Sequence, residues 1–223
     1  MQRRMFLAAA PMLALMGTQA GALESSTGTL RVTEMAAGLD TPWAFGFLPD
    51  GSVLITERDG RVVRLSDGRL RNVAGVGEVA ARGQGGLLDL LVPRDFATTR
   101  TLFFSLAKRQ QGGAGTAVAR AQLSSDMTRL SDWQVIFEMT PGSSGGRHFG
   151  SRIVEGRDGL LYVTTGDRGD RPSAQDLSRE NGSVIRIARD GRVPADNPFT
   201  QTNGAQPEIW SWGHRTPQGA ALD

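Results

Sequence analysis

Residues 45–65 read FGFLPDGSVLITERDGRVVRL, and the alternation of apolar and polar residues in this stretch decides the fold. Three short apolar runs are separated by the pairs Asp50-Gly51 and Asp59-Gly60. An Asp-Gly pair between such runs predicts a tight hairpin, since a type I′ turn needs positive φ at both central residues. The stretch therefore predicts an antiparallel meander of three strands. A further alternating strand is predicted over residues 28–36, with residues 23–26 as a linker before it.

The same pattern returns later in the chain. Residues 158–165 (DGLLYVTT) repeat the form of residues 50–57 (DGSVLITE), and residues 183–192 repeat that of residues 60–69. Meander units that recur every 45 to 60 residues, roughly, are typical of a β-propeller. We therefore predict an all-β propeller of four-stranded antiparallel blades, of which about three are present. A two-sheet sandwich is the alternative, but it does not explain the recurring Asp-Gly pairs.

The last residues have the form of a blade that is beginning. Residues 216–223 (TPQGAALD) resemble residues 41–48 (TPWAFGFL), where the first predicted blade opens. A propeller closes only when its first and last blades meet, and open sheet edges invite association. We therefore expect residues 23–223 to be the N-terminal part of a longer propeller, incomplete at its C-terminus.

Composition excludes several classes of function. The chain has 223 residues, no cysteine and a formal net charge of +2. Without cysteine there are no disulfides and no thiolate metal sites. The basic residues are scattered along the chain and do not cluster, so we predict no nucleic-acid partner.

The N-terminus indicates export. Residues 1–22 read MQRRMFLAAAPMLALMGTQAGA, which combines a charged start, a short apolar core and small residues at the end. This pattern predicts a signal peptide over residues 1–22. Arg3-Arg4 fits a twin-arginine signal, and a Sec signal that contains two arginines is the alternative. The apolar run is too short for a comfortable membrane span, so we predict a periplasmic protein without stable membrane insertion.

Four segments are richer in glycine and polar residues than a blade requires. Loops that connect blades converge at one end of a propeller, so residues distant in sequence can meet there. A glutamine, a histidine and an arginine together would suit a polar, anionic and planar ligand. Each cluster could instead be a tight turn between blades, and this alternative stays open for any one of them. The segments are residues 83–86, residues 145–152 around His148, residues 166–169 and residues 212–219.

The ordered set of motifs resembles one known family, the soluble sugar dehydrogenases that depend on pyrroloquinoline quinone (PQQ), and most closely their aldose sugar dehydrogenase branch. The resemblance implies a six-bladed propeller that binds PQQ and calcium and oxidises the anomeric hydroxyl of aldoses to lactones. The motifs are GQGGLLD (83–89), HFGSR (148–152), GD (166–167), AQDL (174–177), PADNPF (194–199) and GHRTPQG (213–219).

Carried onto this sequence, the resemblance assigns roles to individual residues. His148 matches the general base that takes the proton of the C1 hydroxyl while hydride passes to the quinone. Gln84 and Arg215 match residues that contact PQQ. Thr216 stands where the family usually has asparagine, so a cofactor contact is expected to be weakened. Arg147 stands where the glucose dehydrogenases have an acid, so the resemblance does not carry their preference for glucose over to this chain, and the sequence does not identify the sugar.

No metal ligand is predicted within the chain. The resemblance places the calcium ligands and further PQQ contacts downstream of Asp223, so we expect the isolated chain to be inactive. Asp167 and Asp176 lie in glycine-rich turns, where acidic residues commonly cap the backbone.

The predicted partners are an aldose and an electron acceptor that the sequence does not identify. A competing hypothesis is a non-redox propeller, either a carbohydrate-binding module or a lactonase. A metal-dependent lactonase would need carboxylate and asparagine ligands, which the set Gln84, His148 and Arg215 fits poorly. Because Thr216 departs from the family's pattern, the hypothesis of a carbohydrate-binding module remains as an alternative.

Overall fold

The computed structural model describes residues 22–223. The signal peptide predicted over residues 1–22 lies outside the described residues except for Ala22. Residues 22–37 form a unit of their own, in which β1 (Ala22–Ser25) pairs antiparallel with β2 (Gly28–Arg31). The linker predicted over residues 23–26 was therefore wrong. The Ser25 hydroxyl donates to the Gly28 carbonyl at 2.7 Å, which closes a tight turn and lets the preceding residues pair as a strand.

Residues 38–223 form three four-stranded antiparallel sheets, each a meander in chain order. The prediction of an all-β fold with four-stranded blades is confirmed. The first blade is β3 (Pro42–Phe47), β4 (Val53–Glu57), β5 (Arg61–Ser66) and β6 (Arg69–Val73). The second is β7 (Leu87–Leu91), β8 (Thr101–Gln110), β9 (Gly113–Leu123) and β10 (Leu130–Glu138), with the single-turn helix α1 (Phe96–Thr99) after β7. The third is β11 (Gly150–Glu155), β12 (Leu161–Thr165), β13 (Val184–Ile187) and β14 (Ile209–Ser211), with a 3-10 turn at Arg171–Gln175. No helix among residues 22–223 is long and apolar enough to cross a membrane.

The predicted type I′ turns were wrong at both Asp-Gly pairs. Gly51 and Gly60 have φ of +81° and +101°, but the aspartates that precede them do not have positive φ. Each loop contains one residue more than a type I′ hairpin, and the glycine occupies the left-handed position that follows a type I turn. A type I′ turn does form at Asp67-Gly68, where both φ values are positive (51° and 68°) and Ser66 pairs with Arg69.

Apolar side chains fill the spaces between neighbouring blades. Phe104 on β8 is fully buried and stacks on Trp133, with the ring centroids 5.2 Å apart. These two residues belong to the core between the first and second blades, which also contains Leu54, Val62 and Leu87. A second core joins the second and third blades through Phe103, Val118, Ile153, Val163 and Ile185.

Buried hydroxyl groups join the inner strands of neighbouring blades. The ladder between β3 and β4 has a bulge after Pro42, which removes a strand partner from the Ala44 N–H. The Thr56 hydroxyl accepts from that N–H at 3.1 Å and donates to the carbonyl of Leu88, on the next blade, at 2.6 Å. One fully buried hydroxyl thus satisfies a backbone group in each of two blades.

The same arrangement occurs in the second and third blades, at the bulges of β7 and β11. In each, a hydroxyl of the second strand accepts a backbone N–H of its own blade and donates to a carbonyl of the following segment. We call Thr56 and its two equivalents the hydroxyl bridges. Ser105 accepts from Asp89 N–H (2.8 Å) and donates to Ser151 O (2.6 Å), and Thr164 accepts from Arg152 N–H (3.0 Å) and donates to Pro217 O (2.7 Å).

Replacing Thr56 tests whether the hydroxyl or the packing matters. Thr56→Val keeps the shape but leaves the Ala44 N–H and the Leu88 carbonyl without this partner. We expect a loss of about 2–4 kcal/mol in the free energy of unfolding, since each unsatisfied buried group costs roughly 1–3 kcal/mol. Thr56→Ser keeps the hydroxyl and loses one methyl group, which costs about 1 kcal/mol. Urea unfolding measures both, and equal losses would contradict the role of the hydroxyl.

Candidate functional site

The structure brings the four glycine-rich segments together, as the sequence predicted. The Gln84 N–H donates to the Gly146 carbonyl at 2.8 Å, and a Cβ at Gly83 would collide with the same carbonyl. A Cβ at Gly166 would likewise collide with the His148 carbonyl. The Asp167 N–H donates to the Arg215 carbonyl at 2.8 Å, which joins the last segment to the others. Glycine is required at these contacts because two backbones approach each other closely.

The centre of the site is a histidine paired with a buried carboxylate. His148 Nδ1 lies 2.7 Å from Asp167 Oδ1, and the two side chains are 14% and 2% exposed. The same oxygen accepts the Gly169 N–H at 2.7 Å. Burial alone would raise the pKa of the Asp167 carboxyl. The hydrogen bonds from Gly169 and His148 outweigh burial, with a further contribution from the charge of Arg215, so this pKa lies below its usual value.

This pairing determines which nitrogen of His148 carries the proton. Asp167 is ionised near neutral pH because its pKa is lowered, and a carboxylate only accepts hydrogen bonds. Nδ1 of the neutral imidazole must therefore be the donor, which leaves Nε2 with a free lone pair. Among residues 22–223, Nε2 of His148 has no hydrogen-bond partner. The arrangement provides a proton acceptor held in one orientation.

Gln84 supports the histidine from the other side. Its side-chain oxygen Oε1 accepts the His148 backbone N–H at 2.8 Å. Because a backbone N–H can only donate, this contact fixes the amide orientation and leaves the Gln84 NH₂ group available to a ligand. His148 has φ of +55°, a left-handed conformation that costs a non-glycine residue about 1–2 kcal/mol.

The other predicted residues lie around this pair. Arg215 is exposed, and no carboxylate in the described part of the chain pairs with its guanidinium. The Thr216 hydroxyl oxygen is buried and has no hydrogen-bond partner among the described residues. Arg147 is exposed, and its side chain lies against Gly169.

Asp167 is the functional residue for which sequence reasoning gave an incomplete account. The sequence predicts only a backbone cap at this position, and Asp167 does cap Gly169, but it also holds His148. Asp176 is a cap as predicted, since it accepts the Ser178 N–H at 3.0 Å. Within residues 22–223 no group of three or more His, Cys, Asp or Glu side chains converges to hold a metal ion.

A second buried acidic residue, Glu180, contacts the start of the loop that carries His148. Glu180 is 2% exposed and accepts the Thr140 N–H at 3.2 Å. Burial raises the pKa of the Glu180 carboxyl well above its usual range, and a hydrogen bond with Glu208 raises it further. Glu180 is therefore protonated in the folded chain at pH values where an exposed glutamate is ionised.

Comparisons with known proteins identify relatives of this chain. The Glucose / Sorbosone dehydrogenase family model matches residues 39–223. Aldose sugar dehydrogenase YliI of Escherichia coli is 40% identical over 206 residues, which cover 91% of this chain and 56% of that protein. The chain spans about half the length of the curated relatives that it matches.

Solved structures agree. The soluble aldose sugar dehydrogenase of Escherichia coli in its apo form superposes with a TM-score of 0.76 at 41% identity, covering 80% of this chain and 52% of that one. The PQQ-bound aldose sugar dehydrogenase of Streptomyces coelicolor superposes with a TM-score of 0.71 at 28% identity, covering 82% and 53%. The resemblance stated from the sequence motifs is confirmed.

Asp167→Ala tests the assignment of the His148 proton. Alanine removes the acceptor of the Nδ1–H, so we expect the Nδ1–H tautomer to lose its preference and the Nε2–H tautomer to become populated. Proton–nitrogen NMR correlation of the two ring nitrogens distinguishes these forms. His214 is the internal control, since its Nε2 lies 2.8 Å from the Ser211 hydroxyl and should not respond. An unchanged His148 tautomer would show that Asp167 does not determine it.

Glu180→Gln tests the buried acid through the pH dependence of stability. A raised pKa means that the folded chain keeps a proton that the unfolded chain loses, so wild-type stability falls as pH rises from the ordinary glutamate range. We expect the variant to lack this fall, which amounts to at most about 1.4 kcal/mol per pH unit. Urea unfolding between about pH 5 and 7 measures it. Glu78→Gln, whose glutamate side chain is 84% exposed, should retain the wild-type slope.

Parallel curves of the free energy of unfolding against pH for Glu180→Gln and wild type would contradict a raised pKa at Glu180.

Proposed function

The chain belongs to the glucose/sorbosone dehydrogenase family, and we propose that it carries the catalytic base and part of the PQQ-binding surface of an aldose sugar dehydrogenase. The proposed reaction oxidises the anomeric hydroxyl of an aldose to a lactone. The observation that carries this proposal is the His148–Asp167 pair, with Nε2 of the imidazole free to accept a proton.

The residues around His148 fit an anionic, planar quinone. Arg215 has no carboxylate partner among residues 22–223, and the NH₂ group of Gln84 remains available as a donor. The buried Thr216 hydroxyl lacks a partner in the same part of the chain. A surface with one unpaired cation and two free donors suits carboxylate and carbonyl oxygens. The PQQ-bound relative from Streptomyces coelicolor supports this choice of cofactor.

The chain's own residues would perform the proton transfer. Nε2 of His148 takes the proton of the C1 hydroxyl, and the C1–O bond becomes a carbonyl as hydride leaves C1 with its electron pair. Bound PQQ would supply the two-electron acceptor for that hydride. Asp167 accepts the Nδ1–H throughout and stabilises the positive charge that develops on the imidazole. The products are a lactone, a protonated His148 and a reduced acceptor.

We also propose the remaining features that the sequence predicted. They are export to the periplasm through residues 1–22, calcium as a second cofactor with no ligand in this chain, and an electron acceptor that reoxidises the cofactor. Thr216 would contact PQQ less strongly than the asparagine usual in the family, because a hydroxyl has no NH₂ group to donate.

The test uses the protein encoded by the complete reading frame, without its signal, supplied with PQQ and calcium. Aldose-dependent reduction of a dye measures the activity of wild type, His148→Ala and His148→Gln. Glutamine can still donate to Asp167 but is not basic. We therefore expect both variants to lose roughly 10²-fold or more in kcat while the PQQ absorbance change on binding persists.

Other outcomes distinguish the alternatives. Activity retained in His148→Gln would overturn the assignment of the base. A wild-type protein with neither dye reduction nor a PQQ-dependent absorbance change would favour the carbohydrate-binding module or the lactonase. The 223-residue chain alone is expected to be inactive.

A further inference from the structure

Arg168 is a buried cation beside the site that the proposed reaction does not use. The residue follows Asp167 directly and is 3% exposed. No carboxylate among residues 22–223 pairs with its guanidinium. Burial lowers the pKa of Arg168 to about 10, so the group is still charged at neutral pH. A buried charge without a carboxylate partner is costly unless other groups compensate it.

The compensating groups all belong to the loop that carries His148 or to its neighbour β9. Nη1 donates to the Arg147 carbonyl. Nη2 donates to the Gly145 carbonyl at 2.5 Å and, more weakly, to the Ala114 carbonyl at 3.4 Å. The guanidinium also lies over the Phe149 ring, 3.4 Å from its centroid. Arg168 therefore holds the residues immediately before and after His148.

These contacts fix the peptide unit between Arg147 and His148 from both sides. Its carbonyl accepts from Arg168, and its N–H donates to Gln84 Oε1 at 2.8 Å. This unit determines φ of His148, which is +55°. A non-glycine residue keeps such a conformation only where its surroundings enforce it. If the carbonyl were released, the peptide could rotate toward a favoured φ, and the imidazole would move away from Asp167.

We infer that Arg168 is a positioning residue, which holds the peptide before His148 so that the imidazole stays on Asp167 with Nε2 directed to a ligand. Asp167 and Arg168 thus divide one task between adjacent positions. The first orients the histidine ring, and the second fixes its backbone. The catalytic consequence rests on the proposed function, but the effect on the geometry of His148 does not.

The experiment compares Arg168→Met, Arg168→Lys and wild type. Methionine fills space without donating, and lysine keeps the charge but cannot form the planar fork or stack in the same way. Proton–nitrogen NMR correlation of the His148 ring, without cofactor or sugar, is the first readout. We expect the Nδ1–H signal of the pair with Asp167 to be lost in Arg168→Met and weakened in Arg168→Lys.

The second readout is kinetic. In the complete protein with PQQ and calcium, we expect kcat of Arg168→Met to fall on the order of 10- to 100-fold, because misplaced reacting groups lose rate. KM for the aldose should change by less than about 2-fold, since Arg168 does not contribute to the contacts that bind the sugar before reaction. If wild type oxidises no sugar, the proposed function fails, and the NMR result still decides the role of Arg168.

Arg186→Met is the matched control. Arg186 is also a buried arginine, 6% exposed, and lies on β13, where it binds Asp196 and Asn197. Its loss should lower the melting temperature and leave the His148 signals and kcat unchanged. An Arg168→Met variant that folds and keeps the His148 signals would overturn the inference. If Arg168→Met does not fold, unchanged His148 signals in Arg168→Lys would overturn it instead.

Discussion

The hydroxyl bridges are the interaction on which the arrangement of the blades depends. Inner strands of neighbouring blades lie side by side without forming a hydrogen-bonded ladder, so their facing backbone groups need other partners. Thr56, Ser105 and Thr164 meet this need from buried positions, and each joins a backbone N–H of its own blade to a carbonyl of the following segment. Apolar packing between blades is not directional, whereas these bonds fix how one inner strand lies against the next.

The candidate site depends on the same contacts. Strand β11 begins at Gly150, directly after the loop that carries His148. The Ser105 hydroxyl holds the Ser151 carbonyl, and the Thr116 hydroxyl holds the Phe149 carbonyl at 2.7 Å. The second blade therefore anchors the end of the loop, while Arg168 and Gln84 fix the peptide unit in front of His148. His148 keeps a left-handed backbone because it is held on both sides.

Much of the fold could be predicted from the sequence, because alternating runs and recurring Asp-Gly pairs are local signals. The detail of the turns could not. An Asp-Gly pair fits a type I′ turn and also the end of a longer loop, and loop length decides between them, as Gly51 and Gly68 show. His148 and its segment could be predicted from the motifs. The role of Arg168 could not, because its partners are carbonyls of distant residues, and a carbonyl has no signature in a sequence.

The hydroxyl bridges also give the blades a polarity. The second and third blades each offer a backbone carbonyl acceptor to the blade before and a hydroxyl donor to the segment that follows, so neighbouring blades meet head to tail. A head-to-tail contact does not by itself set the number of repeated units. The rotation between neighbouring units decides when a ring closes. Besides apolar packing, a duplicated or exchanged blade would need a serine or threonine on its second strand, opposite the bulge, to dock in the same way. The contact is therefore one through which a gene could add or replace blades.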